Sequence, residues 1–307
     1  MIFLLIAVTI FLALILTILF WAFKTAFMRS DERLIDVNKG PLAEYKDVFA
    51  ESIKYVEGLS SERVYTKSFD GLRLAASYYN NNSDTTILLF HGYRSDGNFD
   101  FACAVKFYIA LGLNVLVVDQ RANGESEGKL ITFGIKERHD VVSWTDFINK
   151  KYSPKNVFLS GVSMGATTVM MAANLDLPSN VRGIIADCGF TAAPDIIKKV
   201  AKEAFGIRAD LFLPILNVMC KLFGKFDLYE TTTLKTLAES DIPIFFIHGK
   251  CDGFVPCEMS ELSYEKAKAE KYIYLAENAD HGISFLVDSD NIQSEISDFV
   301  KQYCQSK

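Results

Sequence analysis

Val157-Phe158-Leu159-Ser160-Gly161-Val162-Ser163-Met164-Gly165 is the stretch whose reading decides the fold of this chain. Val157 to Ser160 is a short apolar run bounded by a turn signal, the pattern of a buried strand, and Met164 to Leu175 reads as a helix. The five residues from Gly161 to Gly165 match G-x-S-x-G, which sets a serine on a sharp strand-to-helix turn with its hydroxyl pushed clear of the sheet. The flanking glycines suit a turn where neighbouring backbone leaves no room for a Cβ. Outward from this point the alternation repeats. Further strands are expected at Thr86–Phe90, Asn114–Asp119, Val181–Asp187, Ile244–His248 and Tyr272–Leu275. Helices are expected near Phe99–Leu111, Lys136–Lys150, Glu258–Lys268 and Asn291–Tyr303. Short apolar strands separated by helices predict an α/β chain with a mostly parallel sheet covered on both faces. Ligands on such sheets bind beyond the carboxyl ends of the strands.

Two segments depart from the alternation. Val64, Thr66 and Ser68 alternate with larger side chains, Asp70-Gly71 forms a tight turn, and Leu72 to Tyr79 returns, so the sheet opens with a hairpin. More than fifty residues separate Asp187 from Ile244, far more than a crossover needs, which predicts a helical cap insertion at about 189–240. Within it Asp195–Phe205 is amphipathic. Leu211–Phe223 is apolar nearly all round and must pack on the sheet, line an acyl groove or touch lipid.

A serine hydroxyl needs a base, and the base needs an orienting acid. On a strand-turn-helix serine site these follow the serine in the order acid, then histidine. Of four histidines, His91 and His139 precede Ser163, and His248 closes a strand before Gly249, where a structural role is expected. His281 remains, in a loop directly after the last strand. Asp252, four residues past His248, is the preferred acid; Asp280 competes, but a side chain adjacent to the histidine in a loop seldom reaches its ring. Two backbone amides must hold a developing oxyanion. Met164, at the helix start, supplies one; Tyr93, in the His91-Gly92-Tyr93 loop after the strand Thr86–Phe90, is the natural second.

Together with Asp119-Gln120-Arg121-Ala122-Asn123-Gly124-Glu125-Ser126, these motifs resemble the α/β-hydrolase superfamily, and within it the serine aminopeptidase-like branch, whose relatives include small membrane-anchored hydrolases. The resemblance runs from Glu62 to Tyr303. It implies an eight-stranded sheet, Ser163 as nucleophile, Asp252 as acid, His281 as base, Tyr93 and Met164 as oxyanion donors, and no cofactor or metal. Asn123 stands where such proteins usually carry a histidine, at a position that supports its loop. The expected function is a serine hydrolase acting on an acyl bond, most simply a carboxylic ester, of a small or lipid-like substrate. A peptidase or an acyltransferase would use the same residues, and the scaffold also hosts non-enzymatic members.

The N-terminus carries a different message. Ile2 to Phe23 is 22 residues without a charge, 20 of them apolar. As a helix it spans about 33 Å, enough for a bilayer core of about 30 Å. Nothing basic precedes it and no small-x-small site follows, unlike a cleaved signal peptide. A transmembrane anchor at 2–23, a tether and helical connector at 24–60, and a hydrolase domain at 61–305 are therefore expected. Lys24, Arg29, Arg33 and Lys39 all follow the apolar run, which places the remainder in the cytoplasm. Six cysteines without paired spacing suit a reducing compartment. A net charge of −6 argues against a nucleic-acid partner.

Overall fold

The computed structural model describes residues 1–30 and 37–305. Its framework is one eight-stranded sheet. The strands are β1 (Glu62–Lys67), β2 (Arg73–Tyr79), β3 (Thr85–Phe90), β4 (Asn114–Asp119), β5 (Asn156–Val162), β6 (Val181–Asp187), β7 (Ile244–Gly249) and β8 (Lys271–Ala276). They lie in the order β1-β2-β4-β3-β5-β6-β7-β8. β1 and β2 form the expected hairpin, and β2 is also antiparallel to β4; from β4 onward all pairings are parallel. The expected strands are all present, within two residues at each end.

The helices are α1 (Ile2–Phe27), α2 (Lys46–Glu57), α3 (Gly97–Asp100), α4 (Ala102–Ala110), α5 (Glu137–Tyr152) and α6 (Met164–Ala172). They continue with α7 (Ala193–Phe205), α8 (Leu213–Met219), α9 (Thr233–Ala238), α10 (Glu258–Lys266), α11 (Ser284–Val287) and α12 (Ser289–Gln305). Successive strand residues point to opposite faces, and both faces are apolar because both are covered. Leu88 and Leu116 pack with Trp144 of α5 and Val169 of α6. Their neighbours Ile87 and Val115 pack on the other face, with Val105 of α4 and Phe299 of α12.

Boundaries shift where local chemistry intervenes. The helix expected at Phe99–Leu111 breaks between α3 and α4, and the helical part of the 24–60 connector begins as a 3-10 turn over Gly40–Tyr45 before α2. Leu211–Phe223 is likewise segmented. It begins in a 3-10 turn at Ala209–Leu211, continues as α8, and ends in a π-helical turn, Cys220–Gly224.

The apolar N-terminal segment is a 26-residue helix, four residues longer than its charge-free run, and it is long and apolar enough to cross a membrane. Its last turns belong to the folded body. Phe23 and Phe27 are buried in a cluster with Leu213 and Leu216 of α8, and the Phe27 ring meets Phe133 and Phe226 at 5.5 and 5.6 Å. Backbone bonds continue the contact, from Ile131 N–H to the Phe27 carbonyl at 2.7 Å and from Arg29 N–H to the Lys129 carbonyl at 2.9 Å. Arg33, one of the four basic residues read for orientation, lies outside the described residues, as does the rest of 31–36. Because Phe27 is fully buried, Phe27→Ala should cost about 3–5 kcal/mol. The check is a lower denaturant midpoint with an unchanged slope; a midpoint within error of wild type would show that α1 does not pack on the body.

Candidate functional site

The turn after β5 is held by close approach. A Cβ on Gly165 would lie 1.7 Å from the Phe90 carbonyl oxygen, and one on Gly161 would lie 2.2 Å from the Gly165 carbonyl carbon. Neither position tolerates a side chain, so the turn can press against the end of β3. Ser163 itself sits at φ 53°, ψ −116°, a conformation costly for a residue with a Cβ. The strain lifts its hydroxyl above the carboxyl end of the sheet.

Two loops, after β7 and after β8, build a chain of hydrogen bonds from that hydroxyl. Ser163 Oγ lies 2.9 Å from His281 Nε2, and His281 Nδ1 lies 2.7 Å from Asp252 Oδ2. The consistent tautomer has Nδ1–H donating to the carboxylate and Nε2 accepting from the serine. The other Asp252 oxygen accepts from the amides of Phe254 and Val255 at 2.8 and 2.7 Å. Burial alone would raise the Asp252 carboxyl, but hydrogen bonds from His248 and His281 outweigh it and hold the group well below the usual carboxylate range. His248 is fully buried, its Nε2 shared between the Val255 carbonyl at 2.9 Å and Asp252 at 3.1 Å, while Ser260 reaches its Nδ1 at 2.7 Å. Asp280 does not touch the His281 ring; its Oδ1 accepts from the amides of Gly253 and His281 and so ties the two loops together.

Met164 opens α6, where first-turn amides have no intrahelical acceptor. Tyr93 lines the cavity beside Gly92 and Ser163. Its loop is fixed from two directions. Within the site, Asp100 accepts from Gly92 N–H at 2.6 Å and from the Ser95 hydroxyl at 2.5 Å. From outside, the Tyr93 hydroxyl is shared between the Ala26 and Thr25 carbonyls at 2.8 and 3.2 Å, and Arg94 donates to the carbonyls of Thr25 and Met28. Those carbonyls close α1 and have no partner within the helix, so the Tyr93 loop caps it.

A cavity of about 720 Å³ opens beside Ser163. Leu42, Phe49, Phe99, Ala104, Ile283 and Leu286 line its apolar wall, drawn from the connector, α2 to α4 and the segment after His281. No residue from 188 to 246 lines it. Of the three roles open to Leu211–Phe223, lining an acyl groove is therefore not the one it takes: the inner face of α8 packs on α1, and the space beside the serine is bounded by the connector.

Asp187 and Asp100 did not stand out in the sequence, although Asp187 ends a strand at the binding edge of the sheet, which was a usable signal. Asp187 lines the cavity, and its Oδ1 is buried without a hydrogen-bond partner among the described residues. Cys188, Asp252 and His281 place donor atoms within 4.8 Å of one another, a possible metal set. The chemistry disfavours it: burial pushes the Cys188 thiol well above its usual range, and the carboxylate and imidazole already satisfy each other.

A family model described as the alpha/beta hydrolase fold matches residues 85–214. The chain has the α/β-hydrolase fold. Among solved structures it is similar to the Pyrococcus furiosus esterase Pf2001, with TM-score 0.68 and 22% identity, covering 91% of this chain and 99% of the esterase. It is also similar to the esterase EaEST of Exiguobacterium antarcticum, with TM-score 0.59 and 17% identity, covering 78% and 100%. In sequence it is similar to the uncharacterized protein YqkD of Bacillus subtilis (strain 168), 26% identical over 223 residues, which are 71% of this chain and 72% of YqkD.

The Asp187 carboxyl gives a pH test. Burial raises it to about 6, only partly offset by the nearby imidazoles of His248 and His281. The folded state therefore keeps a proton that the unfolded chain, with an ordinary value near 3.9, releases. Stability from this group is complete below about pH 4 and is lost as pH rises through about 6. Asp187→Asn removes the loss, so its gain in Tm should be larger at pH 8 than at pH 4. Equal gains in thermal melts at both pH values would refute the assignment.

Proposed function

We propose that the chain is a membrane-anchored serine hydrolase that cleaves a carboxylic ester through an acyl-enzyme. The observation that carries this reading is the chain of hydrogen bonds from Ser163 Oγ through His281 to Asp252 at the edge of an apolar cavity. His281 takes the Ser163 proton as Oγ attacks the ester carbonyl, and the amides of Tyr93 and Met164 receive the oxyanion. The imidazolium, steadied by Asp252, returns its proton to the leaving alcohol. Water then repeats the sequence on the acyl-enzyme, with His281 again as base. An ionised Asp252 is what this cycle needs, and the bonds from His248 and His281 keep it so.

The apolar wall supports an ester with an aliphatic or aromatic acyl group over a peptide, whose amides would lose their hydrogen bonds there. The motifs favour the serine aminopeptidase-like branch of the superfamily. α1 supports the anchor. Ile2 to Phe11 stand exposed, and the hydroxyls of Thr9 and Thr17 bond the carbonyls of Leu5 and Ala13, four residues back, as a helix in hydrocarbon requires. Lys24 and Arg29 at its C-terminal end support a cytoplasmic domain.

A fluorophosphonate probe should label the wild type and not Ser163→Ala, and Asp252→Asn should lower kcat by about 10⁴-fold. Equal labelling of wild type and Ser163→Ala, or of neither, would sink the enzyme reading. Ala104→Phe should lower kcat/KM for esters of long acyl chains by about tenfold while sparing acetate esters. A uniform loss across a graded ester panel, run beside a peptide amide, would place the acyl group elsewhere.

A further inference from the structure

α8 and its flanking turns are apolar on two sides. The inner side, Leu213, Leu216 and Cys220, is buried against the end of α1. The outer side is bare: Leu211, Leu222 and Phe223 are 77%, 70% and 62% exposed, and Phe205, Ile215 and Val218 are exposed beside them. Elsewhere on the body, exposed large apolar side chains are scattered, as soluble surfaces allow. Here they crowd into the nineteen residues from 205 to 223, and such a contiguous patch marks a contact surface.

Two observations say what covers it. The patch is continuous with α1, since the Trp21 ring meets Phe205 edge-on at 6.5 Å and Phe23 meets Phe223 at 6.1 Å. Its charge also points one way. Of the six basic side chains in residues 198–225, Lys198, Lys199 and Lys221 pair with Asp210, Glu203 and Asp227, and Lys202, Arg208 and Lys225 add positive charge beyond those pairs, in a chain of net charge −6. An apolar face with a basic rim is the chemistry of an interfacial element on an anionic lipid surface.

We propose that the 205–223 crest inserts into the lipid leaflet from which α1 emerges, so that the body is seated on the bilayer at two points. This rests on α1 crossing the membrane. The crest also connects to the site: Lys199 on α7 donates to the Gly253 carbonyl at 2.5 Å, and Gly253 lines the cavity. Seating the crest therefore holds the cavity rim close to the lipid surface, where an amphiphilic ester is concentrated.

The test uses the full chain reconstituted into phosphatidylcholine–phosphatidylglycerol vesicles, with and without lipids brominated near the glycerol end of the acyl chain. Wild-type Trp21 reports on α1. A Trp21→Phe, Leu222→Trp variant reports on the crest, over the unchanged background of Trp144, which is buried in the core. Tyr272→Trp in the Trp21→Phe background reports on the far edge of the sheet. Bromolipid should quench Trp21 and the Leu222→Trp reporter about twofold and leave the Tyr272→Trp reporter unchanged. Quenching at Trp21 without quenching at Leu222→Trp overturns the proposal while leaving the anchor intact. If Leu222→Asp then abolishes a concentration-dependent dimer, a second copy covers the crest instead. Absence of quenching at both positions overturns the crest and the anchor together, and fluorophosphonate labelling of the same vesicles reports separately on the hydrolase reading.

Discussion

Everything at the site depends on how closely the turn after β5 approaches β3. Gly165 lies against the Phe90 carbonyl at a distance no side chain tolerates, and Gly161 lies as close to Gly165 itself. That approach costs backbone freedom and forces Ser163 to positive φ, and the surrounding parallel strands hold the strained turn in place. Because β3 and β5 are hydrogen-bonded neighbours in the sheet, the loop after β3 emerges beside the serine, and its Tyr93 amide with it. The remaining loops follow the strand order outward: β6 delivers Asp187, β7 delivers Asp252, and β8 delivers His281. A sheet edge thus converts residues scattered over more than a hundred positions into one cluster.

The polar groups at this edge are arranged so that one charge is well supported. Asp252 takes four hydrogen bonds, two from backbone amides and two from imidazoles. A buried carboxylate with so many donors stays ionised and keeps its position. Asp187, at the end of the neighbouring strand, leaves Oδ1 without a partner among the described residues and is pushed the opposite way by burial. Two aspartates at neighbouring strand ends thus carry opposite character: hydrogen-bond donors outweigh burial at Asp252, and burial prevails at Asp187.

Much of this was legible in the sequence because it was written in local patterns. Short apolar runs gave the strands; G-x-S-x-G gave the turn; chain order singled out His281, and the reach of a side chain separated Asp252 from Asp280. What escaped reading was decided by distant packing. No local pattern tells that Leu42 and Phe49 wall the cavity, because that depends on the connector folding back over α3 and α4. The two-sided apolar character of Leu211–Phe223 was visible, but its inner partner, α1, lies some two hundred residues earlier. Asp100 and Asp187 look like ordinary strand-end or helix-start acids until their neighbours are known.

The Tyr93 loop that closes α1 has a mechanical consequence. A body on a flexible leash samples a hemisphere of positions; one whose Tyr93 loop is bolted to the end of its own helix cannot. Tyr93 and Arg94 hold the last carbonyls of α1, and Phe27 is wedged between the helix and the body. α1 and the Ser163 side of the body thus share one rigid joint, and changing the tilt of α1 would turn the Tyr93 loop with it.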